Sequence, residues 1–276
     1  MPLRSHARPV LAAVIQTNSG NDRAYNLQRA EDLLEQAAAS GAGLFVLPEN
    51  FSFFGASESE KLAQREDPEQ GPSLKMIQAF AQRHGAWVVA GTIPTDVGES
   101  GRVGNSSYVV NAEGQVVARY DKIHLFDVTL NGGEGYRESD IIQAGKLPMV
   151  VDSPFGKIGL SVCYDLRFPE LYRRLTEAGA EILTVPSAFT LTTGHAHWEL
   201  LLRARAVENF CHVLAPNQWG RHPANRKTYG HSMIIEPWGT VIGRVADGEG
   251  YALAPLDPKR LQRCRTQIPC LDHRVL

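Results

Sequence analysis

Reactive polar side chains gather at a few points of this sequence. Cys163 closes the apolar run GLSVC, Glu49 closes LFVLPE, Lys122 follows the strand-like RY in RYDKIHLFD, and Glu138 lies in YRES. A thiol attacks only as its thiolate, and its ordinary pKa of about 8.5 stands in the way. A nearby ammonium favours the thiolate. A carboxylate can take the thiol proton and later hand it to a leaving amine. Attack on an acyl carbon also leaves an oxyanion that needs fixed donors. Lys122 can be one donor and the backbone N–H of Tyr164 another. A Glu/Lys/Cys set therefore suits nucleophilic acyl transfer without a histidine.

These residues need elements to bring them together. The apolar run Val10–Gln16 reads as a buried strand, and the spacing of Ala24, Leu27, Ala30, Leu34 and Ala38 predicts an amphipathic helix over 21–39, stopped by Gly41. Leu44–Pro48 is a second strand with Glu49 at its carboxyl end. Ser57–Gly71 reads as polar coil, Ser73–His84 as a helix and Ala86–Gly91 as a strand. Ser106–Val110 and Gln115–Tyr120 flank the turn Asn111–Gly114 as a hairpin. Asp121–Gly145 is rich in glycine and charge, a loop long enough to suggest function. Strands at Lys157–Cys163 and Glu181–Pro186, helices at Phe168–Ala178 and His197–Glu208, and strands at Cys211–Pro216, His231–Glu236, Thr240–Gly243 and Gly250–Pro255 complete the pattern. Alternating strands and helices with hairpins between them make an α/β chain, and the strand–helix–strand layout recurs loosely after Lys157. Reactive residues at strand ends lie where α/β folds place their sites.

Bulk properties remove other classes. The chain has 276 residues with 43% hydrophobic and 21% charged residues and a net charge of -2. No linker breaks it, so a single domain over 1–276 is expected. No basic run is suited to tracking phosphates, which argues against nucleic acid. Arg4, His6 and Arg8 before Val10–Ile15 faintly resemble a signal peptide, but the run is too short. No segment approaches the roughly 18 apolar residues of a membrane span. Cys163, Cys211, Cys264 and Cys270 form no C-x-x-C pair or zinc-spaced cluster, so no metal is expected and a reducing cytoplasm fits. No G-x-G-x-x-G follows a strand, so no nucleotide cofactor is expected.

LPEN around Glu49, YDKIHLFD around Lys122 and GLSVCYDLRFPE around Cys163 resemble, in order and rough separation, the three signatures of the nitrilase superfamily of carbon–nitrogen hydrolases. Glu138, sixteen residues after Lys122, falls where that family places a second glutamate. PSAFTLTTGHAHWELLLRARAVEN, NQWGRH and YGHSMIIEPWGTV resemble the branch that contains deaminated glutathione amidase and omega-amidase, with the former favoured. One departure is His195, where that branch has proline. The resemblance implies a four-layer α-β-β-α sandwich, a homodimer or larger assembly, no metal or cofactor, and a cysteine thioester intermediate. It implies a small amide substrate, an ω-amide of an α-keto acid. Deaminated glutathione would give 2-oxoglutarate and Cys-Gly; 2-oxoglutaramate is the alternative. A non-catalytic binding protein of the same fold is the rival from another class, opposed by the presence of all four reactive residues.

Plainer roles compete at other positions. Arg167 can hold a substrate carboxylate or brace the turn after Cys163. Thr190, Thr193 and His195 can line a pocket, although His195 reads more simply as an exposed loop residue. Phe51, Phe53 and Phe54 can wall the site or fill the core. Trp198, Leu201 and Ala204 suit packing or a subunit contact. Cys211, Cys264 and Cys270 read as structural, the last two near a tail that a partner chain could cover.

Overall fold

The computed structural model describes residues 7–129 and 135–275. Arg4 and His6 of the signal-like start, and residues 130–134 of the long loop, lie outside them. The strand Val10–Gln16 sends alternate side chains to two faces. Val10, Ala12 and Val14 enter a central core, while Ala13 and Ile15 enter a second core beneath helices. Burial on both faces explains why this strand reads as continuously apolar. Helix α1 (Arg23–Ala39) starts at Asp22, whose side chain accepts the Tyr25 N–H at 3.1 Å. It buries Ala30, Leu33, Leu34 and Ala37 in the second core, as the threefold and fourfold spacing requires. The short α2 (Glu58–Ala63) follows, and α3 (Pro72–His84) covers the same face through Leu74, Ile77, Phe80 and Ala81.

The first sheet is eight-stranded among the described residues. Val10–Gln16, Leu44–Val46 and Trp87–Val89 pair in parallel, with Gly250–Leu256 antiparallel on one side and Val103–Val110 on the other. The second half repeats this plan. Ile158–Leu160, Ile182–Thr184 and His212–Ala215 pair in parallel, flanked by antiparallel Met149–Val151 and Met233–Ile235. Helices α4 (Pro169–Glu177) and α5 (Leu191–Asn209) make the crossovers. Val14, Val46 and Val89 of the first sheet share one continuous core with Leu160, Ile182 and Leu214 on the facing side of the second, and this core runs on through Leu183 and Val213 to Tyr172 of α4 and Trp198 of α5. The order is helices, sheet, sheet, helices: the expected α-β-β-α sandwich. No helix among the described residues is long and apolar enough to cross a membrane.

Local differences from the sequence expectations have physical causes. Helix α5 begins at Leu191 rather than His197, because the Thr190 side chain accepts the Thr193 N–H and caps a weak TTG start. His195 is therefore helical, although it is exposed. The stretch 57–71, expected as coil, holds α2, capped by Ser57. The long loop contains the short strands Asp127–Thr129, Gly135–Arg137 and Ile142–Gln143. Helix α6 (Pro258–Gln267) had no apolar stripe to announce it, since it buries only Leu261 and Cys264. Trp198 is wholly buried within the chain, as are Cys211 and Cys264.

One glycine controls a strand end. Gly91 has φ +42°, and a Cβ there would stand 2.0 Å from the Pro48 carbonyl oxygen, next to Glu49. Gly85, at the end of α3 with φ +58°, faces open space. Gly85→Ala is expected to cost only the left-handed penalty, about 1–2 kcal/mol. Gly91→Ala should cost clearly more in urea unfolding. Equal losses would show that the Pro48 segment yields freely.

Candidate active site

The parallel strands of both sheets end at one place. Glu49 lies just past Leu44–Val46 and is 2% exposed. Its Oε1 accepts from Asn105 Nδ2 at 2.9 Å and from Lys122 Nζ at 3.0 Å. Its Oε2 accepts the Ala188 N–H at 3.0 Å. Asn105 belongs to the first sheet and Ala188 follows a strand of the second, so this carboxylate ties the sheets together. Lys122 directly follows the strand Val116–Asp121, which pairs with Val103–Val110, and donates its N–H to the Asn105 carbonyl at 3.1 Å. Its ammonium also reaches both oxygens of Glu138, at 2.8 and 3.1 Å. Glu138 Oε2 accepts the Phe126 N–H at 2.8 Å as well.

The sequence placed Cys163 at a strand end. The strand stops at Leu160, and Cys163 opens the 3₁₀ turn Cys163–Arg167 with φ +48°. Positive φ in a non-glycine residue is strained and must be held by its surroundings. Part of the hold is the Cys163 N–H, which donates to the Pro186 carbonyl at 2.9 Å. The thiol lies against the Glu49 carboxylate and the Ala188 N–H. Burial pushes the thiol pKa well up, and Glu49 pushes it further, against the smaller pull of Lys122. The resting group is a neutral thiol. Proximity to Lys122 alone does not make a thiolate. For Lys122, burial favours the neutral amine, but Glu138 and then Glu49 outweigh it and hold the ammonium well above the usual lysine range.

Asp165 supplies the rest of the hold. It is fully buried and accepts from four donors. These are Tyr120 Oη at 2.7 Å, Val162 N–H at 2.8 Å, His124 N–H at 3.0 Å and His124 Nδ1 at 2.7 Å. One carboxylate thus fastens the Cys163 turn to the segment that carries Lys122. The sequence quoted Asp165, Tyr120 and His124 inside motifs but gave no sign of this network. Arg167 does not brace the turn through a carboxylate among the described residues. Its guanidinium lies 5.3 Å from the Phe189 ring centroid, with Nη1 3.3 Å from His197 Nδ1.

A cavity opens over these groups. Of the residues singled out in the sequence, Glu49, Lys122, Glu138, Cys163, Tyr164, Arg167, Thr190 and Thr193 line it. Of the three phenylalanines, Phe54 reaches it, while Phe51 sits in the helix-covered core. His195 does not reach it. Its ring packs edge-on against Tyr229, centroids 4.7 Å apart, beside a neighbouring cavity. The sequence reading missed Asn105, the Ala188 N–H, Lys61, Arg226 and Lys227. Asn105 and Ala188 carry no type signal, whereas the basic pair in NRKTYG was visible.

A family model for carbon–nitrogen hydrolases matches residues 11–266. The chain belongs to the carbon–nitrogen hydrolase family. A Synechocystis protein named deaminated glutathione amidase is 47% identical over 271 residues, which are 97% of this chain and 99% of that one. The crystal structure of the Caenorhabditis elegans NitFhit protein superposes with a TM-score of 0.89 at 36% identity, covering 98% of this chain and 66% of that one. A variant amidase from Nesterenkonia sp., with acrylamide added at its active-site cysteine, superposes with a TM-score of 0.78 at 26% identity, covering 95% and 98%. This carbon–nitrogen hydrolase is an amidase of the nitrilase superfamily.

Two buried histidines within the fold of this hydrolase bear on its stability in acid. His222 uses both ring nitrogens, 2.8 Å from the Ser19 carbonyl and 2.6 Å from Thr228 Oγ1. Burial lowers the pKa of His222 and of His212 to about 4. In the unfolded chain each returns to roughly 6.5, so the unfolded state binds more protons between those values. Stability should therefore be full above about pH 6.5 and fall as the pH drops toward 4, by about 3 kcal/mol for each histidine. Urea unfolding across this window should show a shallower slope for His222→Gln. An unchanged slope would show that His222 charges in the folded protein.

Proposed function

We propose that Cys163 is the nucleophile, Glu49 the proton carrier, Lys122 the oxyanion donor and Glu138 the residue that positions Lys122. The observation that carries this reading is the ammonium of Lys122 held between the two carboxylates, with the Cys163 thiol against Glu49. The Cys163 sulfur attacks the amide carbon while its proton passes to Glu49. The oxyanion forms beside Lys122 Nζ and the Tyr164 N–H. As the C–N bond breaks, Glu49 gives the proton to the departing amine and a thioester remains. Water then attacks the thioester, losing a proton to Glu49, and as the C–S bond breaks Glu49 returns that proton to the sulfur, releasing the acid and restoring the thiol and the carboxylate. A neutral resting thiol suits this sequence, because the proton that leaves sulfur is the one the amine needs.

The substrate proposed is deaminated glutathione, cleaved to 2-oxoglutarate and Cys-Gly. Its support is the name carried by relatives at 42–47% identity over nearly the whole chain. Arg167, beside Phe189 and close to Thr190 and Thr193, is the proposed partner of the acyl carboxylate. We extend the reading to one domain over the whole chain, to a reducing compartment, on four unbridged cysteines, and to a homodimer or larger assembly, on the exposed Leu200, Val207 and Trp238.

Cys163→Ala should release no amine while keeping the wild-type melting temperature, and the wild type should turn over deaminated glutathione with higher kcat/KM than 2-oxoglutaramate. Reversed preference would make the protein an omega-amidase, and no release from either would favour a binding role. Lys122→Ala should lower kcat by about 10²–10³, the usual cost of one oxyanion donor. Glu138→Gln should slow turnover and leave an acyl-enzyme visible by mass spectrometry. A Lys122→Ala enzyme with normal kcat and raised KM would move Lys122 to substrate binding.

A further inference from the structure

The bond-making and bond-breaking steps proposed above use none of four cations that line the cavity, Lys61, Arg167, Arg226 and Lys227. They fall on different elements. Arg167 is on the turn that carries Cys163. Lys61 and Arg226 come from two other elements and approach the stretch Tyr136–Glu138. The Arg226 guanidinium lies 5.8 Å from the Tyr136 ring centroid. Burial pushes the Glu138 carboxyl up, but Lys122 and, after it, Lys61 outweigh this and hold it below the ordinary range. Lys61 is therefore close in space to Glu138. Phe54 stacks on His222 with centroids 4.1 Å apart, which ties the segment before α2 to the hairpin that carries Arg226. Lys61 is only 6% exposed, so its charge is desolvated where it lines the cavity.

Resting on the amidase reading above, we propose that Lys61 and Arg226 form a second carboxylate-binding pole, separate from Arg167, that holds a carboxylate on the departing amine. The acyl half of the substrate stays bonded to Cys163 through the thioester. Its carboxylate therefore belongs with Arg167, on the same turn. The amine half leaves, and the cations that read it must stand on elements other than that turn. Arg226 is followed by exposed Lys227 on the hairpin of Trp219–Arg221 and Lys227–Tyr229, at the outer side of the cavity. The planar fork of Arg226 supplies directed hydrogen bonds to a carboxylate, and Lys61 supplies a point charge deeper in. The site is then matched to an amide with a carboxylate on each side of the scissile bond.

The test compares three amides with one 2-oxo-dicarboxylic acyl group. The first releases ammonia, the second a dipeptide with a free carboxylate, and the third the same dipeptide with an amidated terminus. Arg226→Gln and Lys61→Gln should each lower kcat/KM on the free dipeptide amide by about 10- to 100-fold, mainly through KM, the loss expected for one charge-assisted hydrogen bond. The other two substrates should be unaffected by Arg226→Gln, and Arg226→Lys should restore part of the loss. Because Lys61 also acts on Glu138, any fall in kcat common to all substrates in Lys61→Gln leaves the decision to Arg226→Gln. An equal loss on all three substrates in Arg226→Gln, or no loss on any, overturns the pole. If the wild type hydrolyses only the ammonia-releasing amide, the deaminated glutathione reading falls and takes the pole with it. If it prefers the free dipeptide and Arg226→Gln keeps that preference, only the pole falls.

Discussion

The ammonium of Lys122, 1% exposed between two carboxylates, is the interaction on which the rest of this molecule depends. Isolated burial of any one of these charges would cost several kcal/mol. Together they balance, but only if Glu49, Lys122 and Glu138 arrive at one point from three stretches of chain. A hydrophobic replacement of similar volume would generally be as stable or more so. The persistence of such a cluster in the floor of a cavity is therefore explained by chemistry, not by stability.

The fold meets this demand by repetition. Each sheet contributes three parallel strands, and their carboxyl ends converge. The first sheet brings Glu49 there, and the second brings the Cys163 turn and the Ala188 N–H. The same peptide N–H that faces the thiol also holds Glu49 Oε2. Asp165 then locks the Cys163 turn to the Lys122 segment with three hydrogen bonds and steadies the turn itself with a fourth, so nucleophile and ammonium are positioned by one buried carboxylate. Core packing between Val14 and Val46 of one sheet and Leu160 and Leu214 of the other keeps the two sheets in register, and the geometry at their ends follows from it.

What could be read from the sequence, and what could not, divides along these lines. Glu49, Lys122 and Cys163 were legible because each is a reactive type inside a distinctive motif, and Glu138 by its spacing after Lys122. The strand Val10–Gln16 was legible to the residue because both of its faces are buried and its ends are polar. The start of α5 was hidden, since a threonine cap rather than apolar spacing sets it. Asn105 was hidden inside VGNSSYVV, which reads only as strand. Lys61 and Arg226 are far apart in the chain, and only tertiary structure makes them neighbours of one cavity. The strained backbone at Cys163 was also invisible, because a positive φ in a cysteine is imposed by its surroundings and not by its type.

The neutral state of the Cys163 thiol has a protective side. Peroxides, disulfides and alkylating agents react with thiolates, and a low-pKa cysteine in a cell meets all of them. Here burial and the Glu49 charge keep the sulfur protonated until a carbonyl carbon is in place to receive it. Chemoselectivity is thus built into the resting state. The sulfur that must attack one amide is held in the less reactive of its two states until that amide arrives.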